Sequence, residues 1–273
     1  YRGRPACMYD GWCDAGCPIG ALGNAQTVFL AKALKSGAEI RDGAMVTRLL
    51  TSTGGQRIEG VEYHSVDGVL HRQYADVVVL AAFTVQNARL LLASANSRHP
   101  RGLANHSGLV GRYLMTHPAV SVYGMFDAET QPGLGPTGGQ LMNQDGYDNK
   151  LAVDNAYGSF QWIIANAVKP NGLLGIANNR ADIYGPQLKP FLQRAVNHIG
   201  VMTLVSEDIA LAENRVELSS ARDAFGVPLA RAVHNLGKSS AALVAHAMEQ
   251  GKAVMDAAGA REQWRGPQAG MHI

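Results

Sequence analysis

Residues 75–95 read ADVVVLAAFTVQNARLLLASA. The run from Val77 to Ala82 is apolar without interruption, the pattern of a strand buried on both faces rather than on one. It passes within a few residues into Val85–Ala95, which carries Leu90, Leu91 and Leu92 and reads as a helix. A buried strand feeding directly into a helix predicts an α/β (α+β) fold. Upstream, Ala44–Leu50, Ile58–Ser65 and Leu70–Leu80 read as strands, with turn signals at Gly54-Gly55 and Asp67-Gly68. Together they predict a three-stranded meander that ends in the apolar run. Before it, Ala25–Ser36 presents Val28, Leu30, Ala31 and Leu34 at helical spacing, with Gly37 as the stop.

Downstream the pattern changes. Asn96–Gly111 reads as a loop, Ala119–Phe126 as a strand opening a second region, and Gln131–Asn149 as a long surface loop. Ser159–Val168 is a strand candidate, and Gln187–Asn197 a helix with Pro190 in its first turn. His198–Val205, Arg215–Leu218 and Leu229–Val233 suggest a further antiparallel set, and Lys238–Ala258 a long helix stopped by Gly259. No internal repeat is visible.

The composition bounds the function. With 24 basic and 22 acidic residues the formal charge is +2, and no basic stripe appears, so nucleic acid is not an expected partner. At 47% hydrophobic and 17% charged, the 273 residues are those of a chain with a real core. The expectation from the two ends, Tyr1 and Met271-His272-Ile273, is an internal piece of a longer protein.

All three cysteines, Cys7, Cys13 and Cys17, fall within eleven residues as C-x5-C-x3-C, followed by Pro18. An odd count cannot close into disulfides within the chain. Gly11, Gly16 and Gly20 allow the backbone to turn tightly. Three thiolates suit a 3Fe–4S cluster, or a 4Fe–4S cluster with one outside ligand, and a proline after the last cysteine also occurs in ferredoxin-type loops. Structural zinc would need a fourth ligand, and the nearest histidine in sequence is His64. The bland alternative is three unrelated thiols.

One G-x-G-x-x-G string exists, Gly133–Gly138, but Thr130-Gln131-Pro132 precedes it and Pro136 removes a donor, so it reads as a loop. Of the nine histidines, eight suit structural or surface roles; His117 before Pro118 reads as fixing a turn. Glu207-Asp208 reads as a solvated turn.

Several segments in order resemble one family. Cys17-Pro18-Ile19-Gly20-Ala21 resembles the C-P-x-G-A segment of the glucose–methanol–choline (GMC) oxidoreductases. Ala44-x-Val46-Thr47-Arg48 resembles their strand at the adenine end of the flavin. Ala75–Ala82 with Ala88–Ser94 resembles V-V-L-A-A-G-x-x-x-T-P-R-L-L-L, with Phe83-Thr84-Val85 where the family has glycine and Asn87-Ala88 in place of T-P. Gly108–Pro118 (GLVGRYLMTHP) is close to G-L-V-G-R-N-L-M-D-H-P, and Asn214–Leu218 resembles N-R-V-x-L. Met271-His272-Ile273 resembles the start of the segment holding the family's catalytic base. The cysteine spacing is similar to that of the bacterial sugar, polyol and gluconate dehydrogenase flavoprotein subunits.

The resemblance implies a two-domain FAD-binding fold. Residues 1–118 would form a partial Rossmann-like FAD domain lacking its first βαβ unit. Residues 119–260 would form an antiparallel substrate domain with helices, and residues 261–273 would return to the FAD domain. It implies FAD contacts at Val46, Ala81 and Ala82, an iron–sulfur cluster, most simply 3Fe–4S, on Cys7, Cys13 and Cys17, and His272 as catalytic base. The implied enzyme is an FAD-dependent dehydrogenase of a sugar, sugar acid, polyol or alcohol. It would work with a cytochrome c subunit and a small chaperone-like subunit, peripheral to the periplasmic side of the inner membrane. The competing reading from the cysteines alone is a non-catalytic zinc or iron–sulfur module that binds a protein partner.

Overall fold

The computed structural model describes residues 3–137, 141–147, 156–164 and 167–272, the last five as backbone alone. In chain order, a π-helical turn at Ala25–Leu30 runs into α1 (Ala31–Lys35), followed by β1 (Met45–Thr51), β2 (Ile58–His64), β3 (Leu70–Tyr74), α2 (Thr84–Ala93) and β4 (His117–Met125). Then come β5 (Leu141–Asn143), β6 (Phe160–Ile164), α3 (Pro170–Ala177), α4 (Leu188–His198) and β7 (Ile199–Ser206). The chain ends with β8 (Arg215–Arg222), β9 (Pro228–Val233), α5 (Lys238–Ala257) and β10 (Glu262–His272). They divide into two compact units: Tyr1–Ala38 with Thr116–Ile209 and Leu236–His272, and Glu39–Met115 with Ala210–Asn235.

The larger unit is a five-stranded antiparallel sheet in the order β10-β4-β7-β6-β5. β4 and β7 pair from Ala119↔Val205 to Met125↔Ile199 without a bulge. Alternation along a strand sends successive side chains to opposite faces. Val120, Val122, Met202, Leu204, Phe160 and Trp162 therefore bury one face against Leu243, Val244, Ala247, Met248 and Met255 of α5. Tyr123, Met125, Ile199 and Val201 bury the other against Leu173, Ile176 and Ala177 of α3 and Phe191 and Ala195 of α4.

The smaller unit holds the antiparallel meander β1-β2-β3 and the hairpin β8-β9, with α2 against β1 and the hairpin. Ser94, at the end of α2, accepts a hydrogen bond from Leu49 N (3.0 Å) and donates to Leu90 O (2.7 Å), tying the helix to the strand.

Three expectations are corrected. The strand expected over Leu70–Leu80 stops at Tyr74, and Val77 and Val79 are 77% and 80% exposed. A strand buried on both faces needs a neighbour to complete its ladder, and among the described residues no strand pairs with 76–82, the last backbone bond to β2 being Ala75 N to Glu59 O. The helix over Ala25–Ser36 forms, but Leu30, Ala31 and Leu34 of its apolar stripe are exposed. The set expected from residues 198–233 is split: β7 pairs with β4 and β6, whereas β8 pairs with β9.

α5 approaches the sheet at Gly251, where a Cβ would lie 2.5 Å from the Trp162 ring. Gly251→Ala gains about 1 kcal/mol of helix propensity but overpacks a rigid indole, which costs about 1–3 kcal/mol. We expect a net loss of roughly 1 kcal/mol or more in denaturant unfolding; a stabilised variant would contradict the packing.

Candidate functional site

Within the smaller unit, β1, the turn before α2, α2 itself and the β8–β9 turn enclose a cavity of 330 Å³. Met45 and Val46 come from β1, Ala82 from the turn, Gln86, Arg89 and Leu90 from α2, and Asp223 and Val227 from the hairpin turn. Two of the three residues expected at the flavin, Val46 and Ala82, thus line one space. Ala81 precedes Ala82 in the turn, is exposed, and is not part of the lining.

Asn87 shapes this turn. Its Oδ1 accepts from Ala82 N (2.9 Å), and its own N–H donates to Phe83 O (2.8 Å). Phe83 sits at φ +74°, ψ 153°, a region occupied almost only by glycine. The backbone keeps a glycine conformation where the family pattern has glycine and this chain has Phe.

The cavity wall is completed by an ion pair that no sequence pattern announces. Arg89 Nη2 donates to Asp223 Oδ2 (2.5 Å), and its Nε donates to Pro228 O (2.6 Å). Side-chain exposures are 11% and 16%. Burial pushes the Asp223 carboxyl up, but Arg89 and the amides of Val227 and Phe225 outweigh it and hold the carboxyl below its usual range. Mostly apolar walls with a fixed ion pair on one side suit a flat heteroaromatic ring carrying a few polar edges. The residues present therefore fit the adenine end of FAD.

In the larger unit the cysteine loop lies against the sheet. Gly11, Trp12, Asp14 and Ala15 face Ser121 and Tyr123 of β4 and Val201 and Thr203 of β7 across a cavity of 510 Å³. Ser121 and Thr203 hydroxyls are 3.1 Å apart, and burial pushes the Tyr123 phenol up. Cys7 is exposed; Cys13 and Cys17 are half-buried. Cys7 Sγ accepts from Tyr9 N and Cys17 Sγ from Leu22 N, each at 3.3 Å. All three thiols are free, and among the described residues no three His, Cys, Asp or Glu side chains gather into a metal-holding group.

β4 also carries the register of the last candidate. Its exposed His117 is paired opposite His272 of β10. From there to Ser121 is about 13 Å of strand. The His272 side chain lies outside the described residues. The G-x-G-x-x-G string is a loop over 133–137, with Gly138 outside the described residues, and Gly135 N donates to Tyr9 O (2.8 Å).

Two outcomes follow. An Asp223 carboxyl held low contributes fully above the ordinary carboxylate range and loses that contribution as pH falls through its lowered folded value. Asp223→Asn should therefore cost about 2 kcal/mol in denaturant unfolding near pH 7, and the gap from wild type should shrink below about pH 4. A pH-independent gap would contradict this. Phe83→Gly relieves strain of about 1–3 kcal/mol against an unfolded-state entropy cost of about 0.5–1 kcal/mol. It should raise stability by about 1 kcal/mol, and a destabilised variant would contradict the strained turn.

Residues 2–119 match the family model described as GMC oxidoreductase. The large subunit of fructose dehydrogenase from Gluconobacter japonicus is 32% identical over 87% of this chain and 43% of that protein. The 2-methyl-1,2-propanediol dehydrogenase of Mycolicibacterium austroafricanum is 28% identical over 84% of this chain and 42% of that protein. A solved structure of formate oxidase from Aspergillus oryzae aligns with 77% of this chain and 42% of its own, at 18% identity and a TM-score of 0.49. The chain spans less than half the length of these curated relatives. Over residues 2–119 the chain is a GMC oxidoreductase domain.

Proposed function

We propose that the protein carrying this chain is an FAD-dependent dehydrogenase that oxidises the CH–OH group of a sugar, sugar acid, polyol or alcohol. The observation that carries this reading is the 330 Å³ cavity in which Val46 and Ala82 meet beside the Arg89–Asp223 pair. In it Val46, Ala82 and Leu90 would hold the adenine end of FAD by apolar contact, with Gln86 and Arg89 as the polar edge. Bound FAD supplies the hydride acceptor that a carbinol oxidation requires.

The protein's own task is the proton. Breaking the carbinol C–H as hydride is easier when the hydroxyl proton leaves to a positioned base, and a neutral imidazole, with an ordinary pKa of about 6.5, suits that role near pH 7. His272 is that base in this reading, and its register on β10 opposite His117 supports a place on the ordered sheet. The C-x5-C-x3-C loop is proposed as the ligand set of an iron–sulfur cluster, on the strength of its spacing and of its resemblance to cluster-bearing relatives. A cytochrome c subunit, a small chaperone-like subunit and a peripheral position on the periplasmic side of the inner membrane belong to the same reading.

His272→Ala in the full-length enzyme should slow flavin reduction by the alcohol substrate by a factor on the order of 100 or more; an unchanged rate removes His272 as the base. Cys13→Ser should lower bound iron and the rate of electron delivery to an external acceptor. If both stay at wild-type values, the cluster is not on this loop.

A further inference from the structure

Lys169 stands at a three-way junction in the larger unit. Its ammonium donates to Asp10 O in the cysteine loop (2.5 Å) and to Gly133 O in the segment after β4 (2.7 Å). It also lies 4.6 Å from the centroid of the Trp12 ring. Backbone bonds surround it: Gly135 N donates to Tyr9 O (2.8 Å) and Val168 N to Pro132 O (2.6 Å). One side chain thus joins the residue before α3, the loop at 131–135 and the strip next to Cys13. A lysine suits this place because it offers three donors on a compact charge, two for carbonyls and one face for an aromatic ring.

Gly11 is shaped to the same junction. Its φ is +70°, and a Cβ there would lie 2.6 Å from Gly133 O and 2.9 Å from Lys169 Nζ. Both the conformation and the close approach require glycine. The other hydrogen bonds at Cys13 and Cys17 among the described residues are local, with Trp12, Gly16, Gly20 and Leu22, and Cys7 and Tyr9 are exposed. A segment whose bonds are local opens readily when one charged anchor is lost.

We propose that Lys169 is the positioning residue of the three-cysteine loop: its ammonium, seated between Asp10 O, Gly133 O and the Trp12 ring, pins the loop to the sheet, sets the accessibility of Cys13 and keeps the roof on the 510 Å³ cavity. This bears on the iron–sulfur reading but does not require it, because the anchor acts on the loop itself.

The test is the rate at which a soluble thiol reagent modifies Cys13, resolved by mass spectrometry, in the reduced, metal-free protein. Lys169→Met should label Cys13 about tenfold faster or more, with the thermal midpoint of the whole protein little changed. Lys169→Arg keeps a charge that reaches carbonyls and stacks on indole, and should return the rate to within about threefold of wild type. Gly11→Ala should raise labelling through the same junction, and adding Lys169→Met to it should give little further increase. A wild-type rate in Lys169→Met, equal rates in the Met and Arg variants, or fully additive effects with Gly11→Ala would each overturn the assignment. Iron binding by the wild-type protein, measured separately, decides the cluster reading without touching this one.

Discussion

The unbroken ladder between β4 and β7 is the constraint on which the larger unit depends. Seven consecutive residue pairs fix which side chains face α5 and which face α3 and α4. A slip of one residue would exchange the two sets and expose both cores. The same strand then aligns everything of chemical interest in that unit. Ser121 and Tyr123 form the floor beneath the cysteine loop, and His117, further along, is the register partner of His272. β10 is an edge strand with two register shifts, so β4 rather than β10 determines where His272 falls.

The smaller unit depends on a different device. Its helix is joined to the β8–β9 turn by a guanidinium bound to a carboxylate and to backbone carbonyls. Losing one member of so buried a pair leaves the other charge unsatisfied, which costs more than the intact pair gains. The pair borders the cavity, and the turn on the other side carries a phenylalanine in a glycine conformation. Local cost next to an apolar space is the pattern expected where a ligand, rather than packing, sets the backbone path.

Much of this was legible in the chain. The meander declared itself through Gly55 and Gly68, both at positive φ, and the long helix through Gly259, also at positive φ. Of Val46, Ala81 and Ala82, the residues the resemblance points to, Val46 and Ala82 line one cavity and Ala81 does not. Other features were hidden for physical reasons. α3 contains Gly172 and Gly175, poor helix formers, and forms because Leu173, Ile176 and Ala177 are buried. β10 contains Gly266 and Pro267, tolerated because they fall at a register shift on an edge strand. Residues 75–82 carry the right composition for a buried strand, but composition cannot supply the neighbours a ladder needs. Arg89 with Asp223, and Lys169 with Asp10, join residues far apart in sequence by contacts that leave no periodic trace.

The central claim is that the space between β1 and α2 takes the adenine end of a flavin dinucleotide. The most direct measurement is a comparison of FAD and FMN binding to the flavin-free protein by fluorescence titration, in wild type and in Ala82→Trp, which fills the cavity. The account predicts that FAD binds at least about tenfold more tightly than FMN and that Ala82→Trp removes the difference. Equal affinity for the two flavins in the wild-type protein, or an FAD preference that survives filling the cavity, would contradict it.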